Sequence, residues 1–338
     1  MPYQQMVITE FGGPEVLKMV EEPQLPEPKP GEVRVRVLAT GANFTDTMIR
    51  KGIYPDVKDQ PPFAPGYDMV GIVDKLGEGV KELSVGQMVA ELTVIGAYSE
   101  YLCLAQERLV PVPNGLDPAE AVSLVLTYVT AYQMLHRIAA VKDGQSILVH
   151  GAGGAVGSAL LQLGKLHNLT MYATASTPKH GLILELGGIP IDYRTQDFVK
   201  VIRSAQPEGI DAAFDAIGGE NFKRSFKTLK RGGTLVPYGF YNASTGRGGS
   251  VPLGFMQAML LNLLPNGRAS KFYSIAPLRK QQPDWFEEDL KHLFKLLKDG
   301  KIKPVIAERM PLSRAVEAHQ RIEDRAVKGK LILMVGEK

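Results

Sequence analysis

Ser146–Ile147–Leu148–Val149–His150–Gly151–Ala152–Gly153–Gly154–Ala155–Val156–Gly157 is the stretch that decides the fold. An apolar run enters a glycine-rich turn and then a segment in which Val156, Ala159, Leu160 and Leu163 recur at i, i+3, i+4 and i+7, the spacing of one helix face. Small residues in such a turn let the backbone approach a pyrophosphate. The helix N-terminus turns free N–H groups and the positive end of its dipole toward that anion. The strict GxGxxG spacing is not met, and the frame that fits is Ala152-x-Gly154-x-x-Gly157. Alone that is a weak signal; its strand–turn–helix setting and the units that follow give it weight.

Those units are the apolar runs Thr170–Ala175, Ile189–Tyr193, Ile210–Ile217 and Gly233–Gly239. Between the runs lie the helix-like stretches Val156–His167, Pro178–Leu186, Gln196–Ala205 and Glu220–Leu229. Strands separated by helices of about 10–15 residues imply βαβ units and a parallel sheet, and unbroken apolar runs suit strands covered on both faces. Upstream the texture differs. Val7–Thr9, Glu32–Leu38, Gly71–Lys75 and Gln87–Ala90 are short β-type runs between glycine and proline. Pro23–Pro30 holds four prolines and reads as an extended connection outside any sheet ladder. Asp117 can cap a helix that starts at Pro118. Beyond residue 265 the pattern predicts a short strand at Lys271–Ile275, a helix at Asp284–Asp299 and a strand at Lys330–Val335, and this tail is expected to rejoin the N-terminal β domain.

Length and composition narrow the function classes. At roughly 150 residues per domain, 338 residues make two domains. With 44% apolar and 22% charged residues the chain is an ordinary globular one rather than a disordered one. A net charge of +3 argues neither for nucleic acid nor for an anionic membrane as partner. The lone cysteine, Cys103, excludes an intrachain disulfide and a cysteine zinc cluster, and suits a reduced compartment. MPYQQMVITE lacks the basic and apolar regions of a signal peptide, and Ala121–Tyr132 and Phe255–Leu264 fall short of the ~20 residues of a membrane span. A cytoplasmic protein is expected. No GxSxG elbow, GxxxxGK[ST] loop or HExxH pair is present, so a metal-independent site is expected.

The cofactor can be read at the end of the second strand of the unit, where an NAD site places an acid for the ribose hydroxyls. Here Tyr172–Ala173–Thr174–Ala175–Ser176–Thr177–Pro178–Lys179 carries no carboxylate, and the next is Glu185. A hydroxyl and a lysine suit a 2′-phosphate, which favours NADPH.

Five stretches, the glycine turn among them, carry a resemblance. Gly41–Ala42–Asn43–Phe44–Thr45–Asp46 with Arg50–Lys51–Gly52–Ile53–Tyr54–Pro55 is similar to a GxNxxDxxxRxGxYP signature, and Pro65–Gly66–Tyr67–Asp68–Met69–Val70–Gly71 to PGxExxGxV. Leu126–Thr127–Tyr128–Val129–Thr130–Ala131–Tyr132, the glycine turn through Gln162–Leu163–Gly164–Lys165, and Gly232–Gly233–Thr234–Leu235–Val236–Pro237–Tyr238–Gly239 complete the set. In these motifs the chain resembles the zinc-independent quinone oxidoreductase branch of the medium-chain dehydrogenase/reductase superfamily along essentially its full length.

The resemblance implies an α/β fold: a Rossmann doubly wound parallel sheet inserted into a GroES-like, mostly antiparallel β domain. The expected division is 1–120 for the first part of the substrate domain, 121–268 for the NADPH-binding domain and 269–338 for an interface strand and the return. The nicotinamide is expected in the interdomain cleft. Zinc-dependent relatives carry a cysteine in the segment of Asn43, a His-Glu pair where this chain has Tyr67–Asp68, and a four-cysteine lobe it lacks.

Carried over residue by residue, Asn43 and Thr130 face the nicotinamide, Gly154, Ala155 and Val156 line the pyrophosphate, and Ser176, Lys179, Tyr193 and Arg325 surround the 2′-phosphate. Ile217, Gly239 and Phe240 border the ribose and nicotinamide path. Tyr54 and Asn43 are the catalytic candidates, with Tyr54 protonating or hydrogen-bonding the acceptor oxygen and Asp46 ordering the loop. The implied reaction is hydride transfer from NADPH to a quinone or an enone. The alternatives are a 2-enoyl thioester reductase and a non-catalytic NADPH-binding interaction protein. Ala269–Ile275 resembles an interface strand, so a homodimer is expected.

Overall fold

The computed structural model describes residues 1–246 and 250–336. They form two compact units, 1–129 together with 283–338, and 130–282. The sequence placed its divisions at 120/121 and 268/269; the segment 269–282 instead belongs with the second unit.

The first unit opens with β1 (Tyr3–Ile8) and β2 (Leu17–Glu22), an antiparallel pair. β3 (Glu32–Ala42), β4 (Met69–Leu76), β5 (Met88–Glu91), β6 (Tyr101–Ala105) and β7 (Val110–Pro111) build its main sheet. β3 shows why a strand forms there: Val33, Val35 and Val37 point inward while Arg34 and Arg36 alternate outward, the two-residue period of a half-buried strand. Pro23–Pro30 joins β2 to β3 outside any ladder. Asp117 accepts from the Glu120 N–H at 3.0 Å and caps the helix Pro118–Ser123, as its position before Pro118 predicts.

The second unit contains β8 (Ser146–His150), β9 (Thr170–Ala175), β10 (Ile189–Asp192), β11 (Ile210–Asp215), β12 (Leu229–Pro237) and β13 (Ala269–Ser270). All its pairings are parallel, in the order β10-β9-β8-β11-β12-β13. The order reverses between β8 and β11. In an open α/β sheet that reversal opens a ligand crevice at the carboxyl ends of the strands. The helices Ala155–Leu166, Phe198–Ala205 and Glu220–Thr228 agree with the sequence reading to within about two residues. The strand predicted at Lys271–Ile275 does not form. β13 stops at Ser270, whose N–H and carbonyl are both taken by the Asn262 amide at 2.6 and 2.8 Å, and a helix begins at Ile275. Lys271 and Tyr273 still donate to the Leu235 and Pro237 carbonyls of β12.

In the tail, the helix Pro283–Lys298 leads to β14 (Ile306–Pro311) and β15 (Lys330–Met334). β15 lies between β14 and β3, antiparallel to β3 and parallel to β14, so the return of the tail to the N-terminal sheet is direct. The resulting order is β14-β15-β3-β4-β5-β7, with β6 also paired to β3. Among the described residues no helix is long and apolar enough to cross a membrane.

Candidate functional site

In the second unit the helix Ala155–Leu166 starts at Gly154 without a side-chain cap, which leaves its first N–H groups open to an anion. A Cβ on Gly157 would lie 2.5 Å from Ala152 Cα and 2.6 Å from the Gly151 carbonyl, so helix and turn meet at a distance only glycine allows. A Cβ on Gly153 would lie 2.6 Å from Lys179 Cδ: the Lys179 stem crosses the glycine turn. Lys179 ends the single 3-10 turn Thr177–Lys179 that follows Ser176 at the end of β9. Tyr193, half exposed, follows β10 and carries the Arg194 guanidinium 5.8 Å from its ring centroid. Ser176, Lys179 and Tyr193 therefore share one end of the parallel sheet with the glycine turn, which puts a hydroxyl, an ammonium and a phenol, groups able to hydrogen-bond an anion, beside it. One residue here was not anticipated. Counting along the chain finds no carboxylate before Glu185, yet β10 delivers Asp192, which accepts from the Thr177 hydroxyl and from the Arg194 N–H at 2.9 Å. Those bonds, Thr177 foremost, hold its pKa below the usual carboxylate range.

The loops after β11 and β12 carry Ile217, Gly239 and Phe240. They are stitched together: Tyr241 and Asn242 N–H donate to the Ala216 and Ile217 carbonyls at 3.0 and 2.9 Å. The Phe240 ring turns inward, stacked on Phe272 at 5.5 Å and edge-on to Phe222 at 5.9 Å, so what this residue offers a ligand is backbone. Thr130 is the first residue of the unit and is buried.

Asn43, Tyr54 and Arg325 belong to the first unit. Asn43 precedes the helix Phe44–Arg50, and its N–H donates to Asp46 Oδ2 at 2.8 Å. Its side-chain amide donates to the Gly41 carbonyl and to Asp68 Oδ1, each at 3.1 Å. Asp68 is fully buried and is answered by the buried Lys330 ammonium at 2.7 Å, which also donates to Thr127 Oγ1 at 3.1 Å. A Cβ on Gly41 would sit 2.4 Å from Lys330 Cε, so a glycine is what lets the lysine pass. Burial, with Asp68 nearby, pushes Asp46 up to about 8. The Tyr54 and Tyr67 hydroxyls are 2.7 Å apart, with the rings edge-on. Burial pushes Tyr54 up to about 12, and the hydrogen bond from Tyr67 opposes the rise; burial drives Tyr67 higher still. Arg325 follows the helix Ala315–Glu323 with a left-handed φ of 58°.

A second buried set surrounds Arg50 at the far end of the Phe44–Arg50 helix. It donates to the Gly12 carbonyl at 3.0 Å, to His319 Nδ1 at 3.0 Å and to Glu323 at 2.5 Å. Because Nδ1 accepts, His319 Nε2 carries the proton and donates to the Tyr98 hydroxyl at 3.1 Å. Burial and Arg50 hold His319 down to about 3.

Two family descriptions match the chain: an alcohol dehydrogenase GroES-like domain over residues 29–114 and a zinc-binding dehydrogenase over residues 188–333. The quinone oxidoreductase of Rattus norvegicus is 31% identical over 335 residues, covering 97% of this chain and 96% of the relative. The chain belongs to the zinc-independent quinone oxidoreductase branch of the medium-chain dehydrogenase/reductase superfamily. The synaptic vesicle membrane protein VAT-1 homolog of Danio rerio is 33% identical over 340 residues, covering 98% of this chain and 70% of the relative. The crystal structure of Escherichia coli quinone oxidoreductase complexed with NADPH superposes with a TM-score of 0.86 at 29% identity, covering 98% of this chain and 99% of that one. Two sheets, one parallel and one mostly antiparallel, are the Rossmann and GroES-like folds of this branch.

The zinc named in one family description does not fit this branch member. Asn43 is engaged through its amide N–H groups, Tyr67 is a phenol held by another phenol, and the Asp68 carboxylate is neutralised by Lys330. Among the described residues no group of three or more His, Cys, Asp or Glu side chains could hold a metal ion. Lys330, Asp215 and Asp192 escaped the sequence reading, and Tyr67 entered it only as a motif member. The one signal available was positional: a lysine leading an apolar run at Lys330–Val335, and an aspartate inside the run Ile210–Ile217.

Proposed function

We propose that this protein is an NADPH-dependent reductase that delivers hydride, without a metal, to a quinone or an α,β-unsaturated carbonyl compound. The observation that carries this reading is the Asp68–Lys330 pair. In the segment where zinc-dependent relatives hold their metal, a buried ammonium already satisfies the carboxylate, so the acid left for an acceptor oxygen is a phenol.

NADPH, when bound, supplies the hydride. The N–H groups of Gly154, Ala155 and Val156 hold the pyrophosphate, while Ser176, Lys179 and Tyr193, with Arg325, hold the 2′-phosphate by hydrogen bonds and charge. Ile217 and Gly239 border the ribose, and Thr130 and Asn43 orient the nicotinamide. As carbon accepts hydride, negative charge grows on the acceptor oxygen. Tyr54, still protonated at neutral pH with its pKa at about 12, gives that oxygen its proton. Two copies pair through the segment 269–275.

Following NADPH absorbance against quinones, simple enones and enoyl-CoA in parallel tests the reading. Oxidation with a quinone or an enone, slowed at least about tenfold in Tyr54→Phe, is the expected result. Turnover on enoyl-CoA alone moves the assignment to a thioester reductase. Tight NADPH binding with no turnover on any acceptor removes the catalytic reading altogether. Full turnover by Tyr54→Phe removes Tyr54 as the proton source. Sedimentation giving a monomeric mass removes the dimer.

A further inference from the structure

Asp215 closes β11 and is fully buried, and among the described residues the hydrogen bonds its carboxylate receives come from uncharged groups, with His150 Nε2 standing 3.9 Å from Oδ2. Neutral donors satisfy it. Oδ2 accepts from Ser225 Oγ at 2.6 Å and Asn221 Nδ2 at 2.9 Å. Oδ1 accepts from the N–H groups of Ile217 at 2.8 Å and Gly218 at 3.3 Å, which bends the chain out of the strand into the loop that carries Ile217.

The bonds behind the carboxylate have a direction. A carboxylate only accepts, so the Ser225 hydroxyl proton points to Asp215, and Ser225 Oγ accepts from His150 Nε2 at 2.9 Å. The imidazole proton is then on Nε2, which leaves Nδ1 to accept from the Thr174 hydroxyl at 2.8 Å. This chain of bonds needs a neutral imidazole, and burial holds the His150 pKa down. Thr174 sits on β9 just before Ser176, and its carbonyl accepts from the Ala152 N–H of the glycine turn at 3.1 Å. One run of hydrogen bonds thus joins the loop at 216–218 to the glycine turn through Thr174, which stands on β9 two residues ahead of the Ser176–Lys179 turn. All four side chains, Thr174, His150, Ser225 and Asp215, are buried. Apolar residues would fill the same space without the cost of burying polar groups, and what the polar set adds is a defined loop shape.

We propose that Asp215 is a positioning residue for the nicotinamide-riboside half of the dinucleotide, and that Ser225, His150 and Thr174 tie it to the 2′-phosphate turn, so that the two halves of the ligand bind cooperatively. The proposal rests on the NADPH reading above. Its experiment compares NADPH with adenosine 2′,5′-bisphosphate, which lacks the nicotinamide half, by calorimetric titration of the whole protein. The variants are Asp215→Asn, Ser225→Ala, Thr174→Val and Thr174→Ser. Losing one buried partner is expected to weaken NADPH about tenfold in Asp215→Asn, Ser225→Ala and Thr174→Val, with the bisphosphate changed by less than about twofold. Thr174→Ser, which keeps the hydroxyl, restores NADPH affinity. Equal losses for the two ligands, or unchanged NADPH affinity in folded Thr174→Val and Ser225→Ala, overturn the proposal. Those two variants decide the matter if Asp215→Asn does not fold. Failure of the unaltered protein to bind either ligand overturns the NADPH reading, and the proposal with it.

Discussion

Each unit buries an aspartate completely, and only one of the two is met by a charge. Asp68 in the first unit meets a full positive charge on Lys330 at Oδ2, with the Gly41 N–H and the Asn43 amide on Oδ1, whereas Asp215 in the second is held by two neutral side-chain donors and two backbone N–H groups. An ion pair in a low-dielectric interior concentrates its energy in one contact, and removing either partner strands a bare charge. A carboxylate held by several dipoles spreads the same task, and each donor removed costs one hydrogen bond. The first arrangement pins a segment in place. The second shapes a loop.

Lys330→Met is the sharpest way to break this contrast. It strands Asp68 and is expected to cost about 3–5 kcal/mol, read as a lowered urea midpoint, with Asp68→Asn in the same background recovering most of the loss. Ser225→Ala removes one donor of several and is expected to cost about 1–3 kcal/mol in the same measurement. A loss as large as that of Lys330→Met would erase the distinction.

Acid–base titration separates the regions further. Asp46 has a folded pKa of about 8 against 3.8 unperturbed, so the stability it lends is complete below 3.8 and is lost as pH rises through 8. His319 has a folded pKa of about 3 against 6.5, so its stability is complete above 6.5 and is lost as pH falls toward 3. Between pH 6.5 and 8 Asp46 acts alone of the two, and stability should fall by about 1.4 kcal/mol per pH unit on going up. Below 6.5 the two slopes oppose each other. Urea midpoints measured across pH 6–8 check this, and Asp46→Asn should flatten the decline. The smallest effect belongs to the solvent-facing network of Arg314 with Glu308 and Glu317: Arg314→Ala is expected to leave the urea midpoint almost where it was. That variant is the control for the buried ones.

What the sequence made legible was local. β8 and β9 announce themselves as apolar runs, Gly154 stands at the start of the helix Ala155–Leu166 with Gly157 packed against the turn, and Asp117 precedes Pro118 as a cap should. Asn43 and Asp68 were visible as motif members, but not as partners in one buried cluster. Lys330 reaches Asp68 across 262 positions of sequence, and no window along the chain contains both. Asp192 was missed for a related reason, since in a parallel sheet the neighbour of one strand end is the end of the next strand, not the next few residues. The strand foreseen at Lys271–Ile275 failed on a tertiary contact, the Asn262 amide closing on Ser270. Propensity carries no information about such a contact.

The position of β15 also sets a timetable. A ribosome releases β3 early, but the strand that lies against it in the finished sheet is made only when residues 330–334 emerge. By then the whole of 130–282 has been synthesised and can already have closed its own sheet. Throughout that interval residues 39–42 of β3, the stretch beyond its pairing with β6, stand without their final neighbour and expose unpaired backbone groups to any other strand in reach. The unit that begins the chain is the last to be completed, and its vulnerability during synthesis lasts as long as the insertion takes to be made.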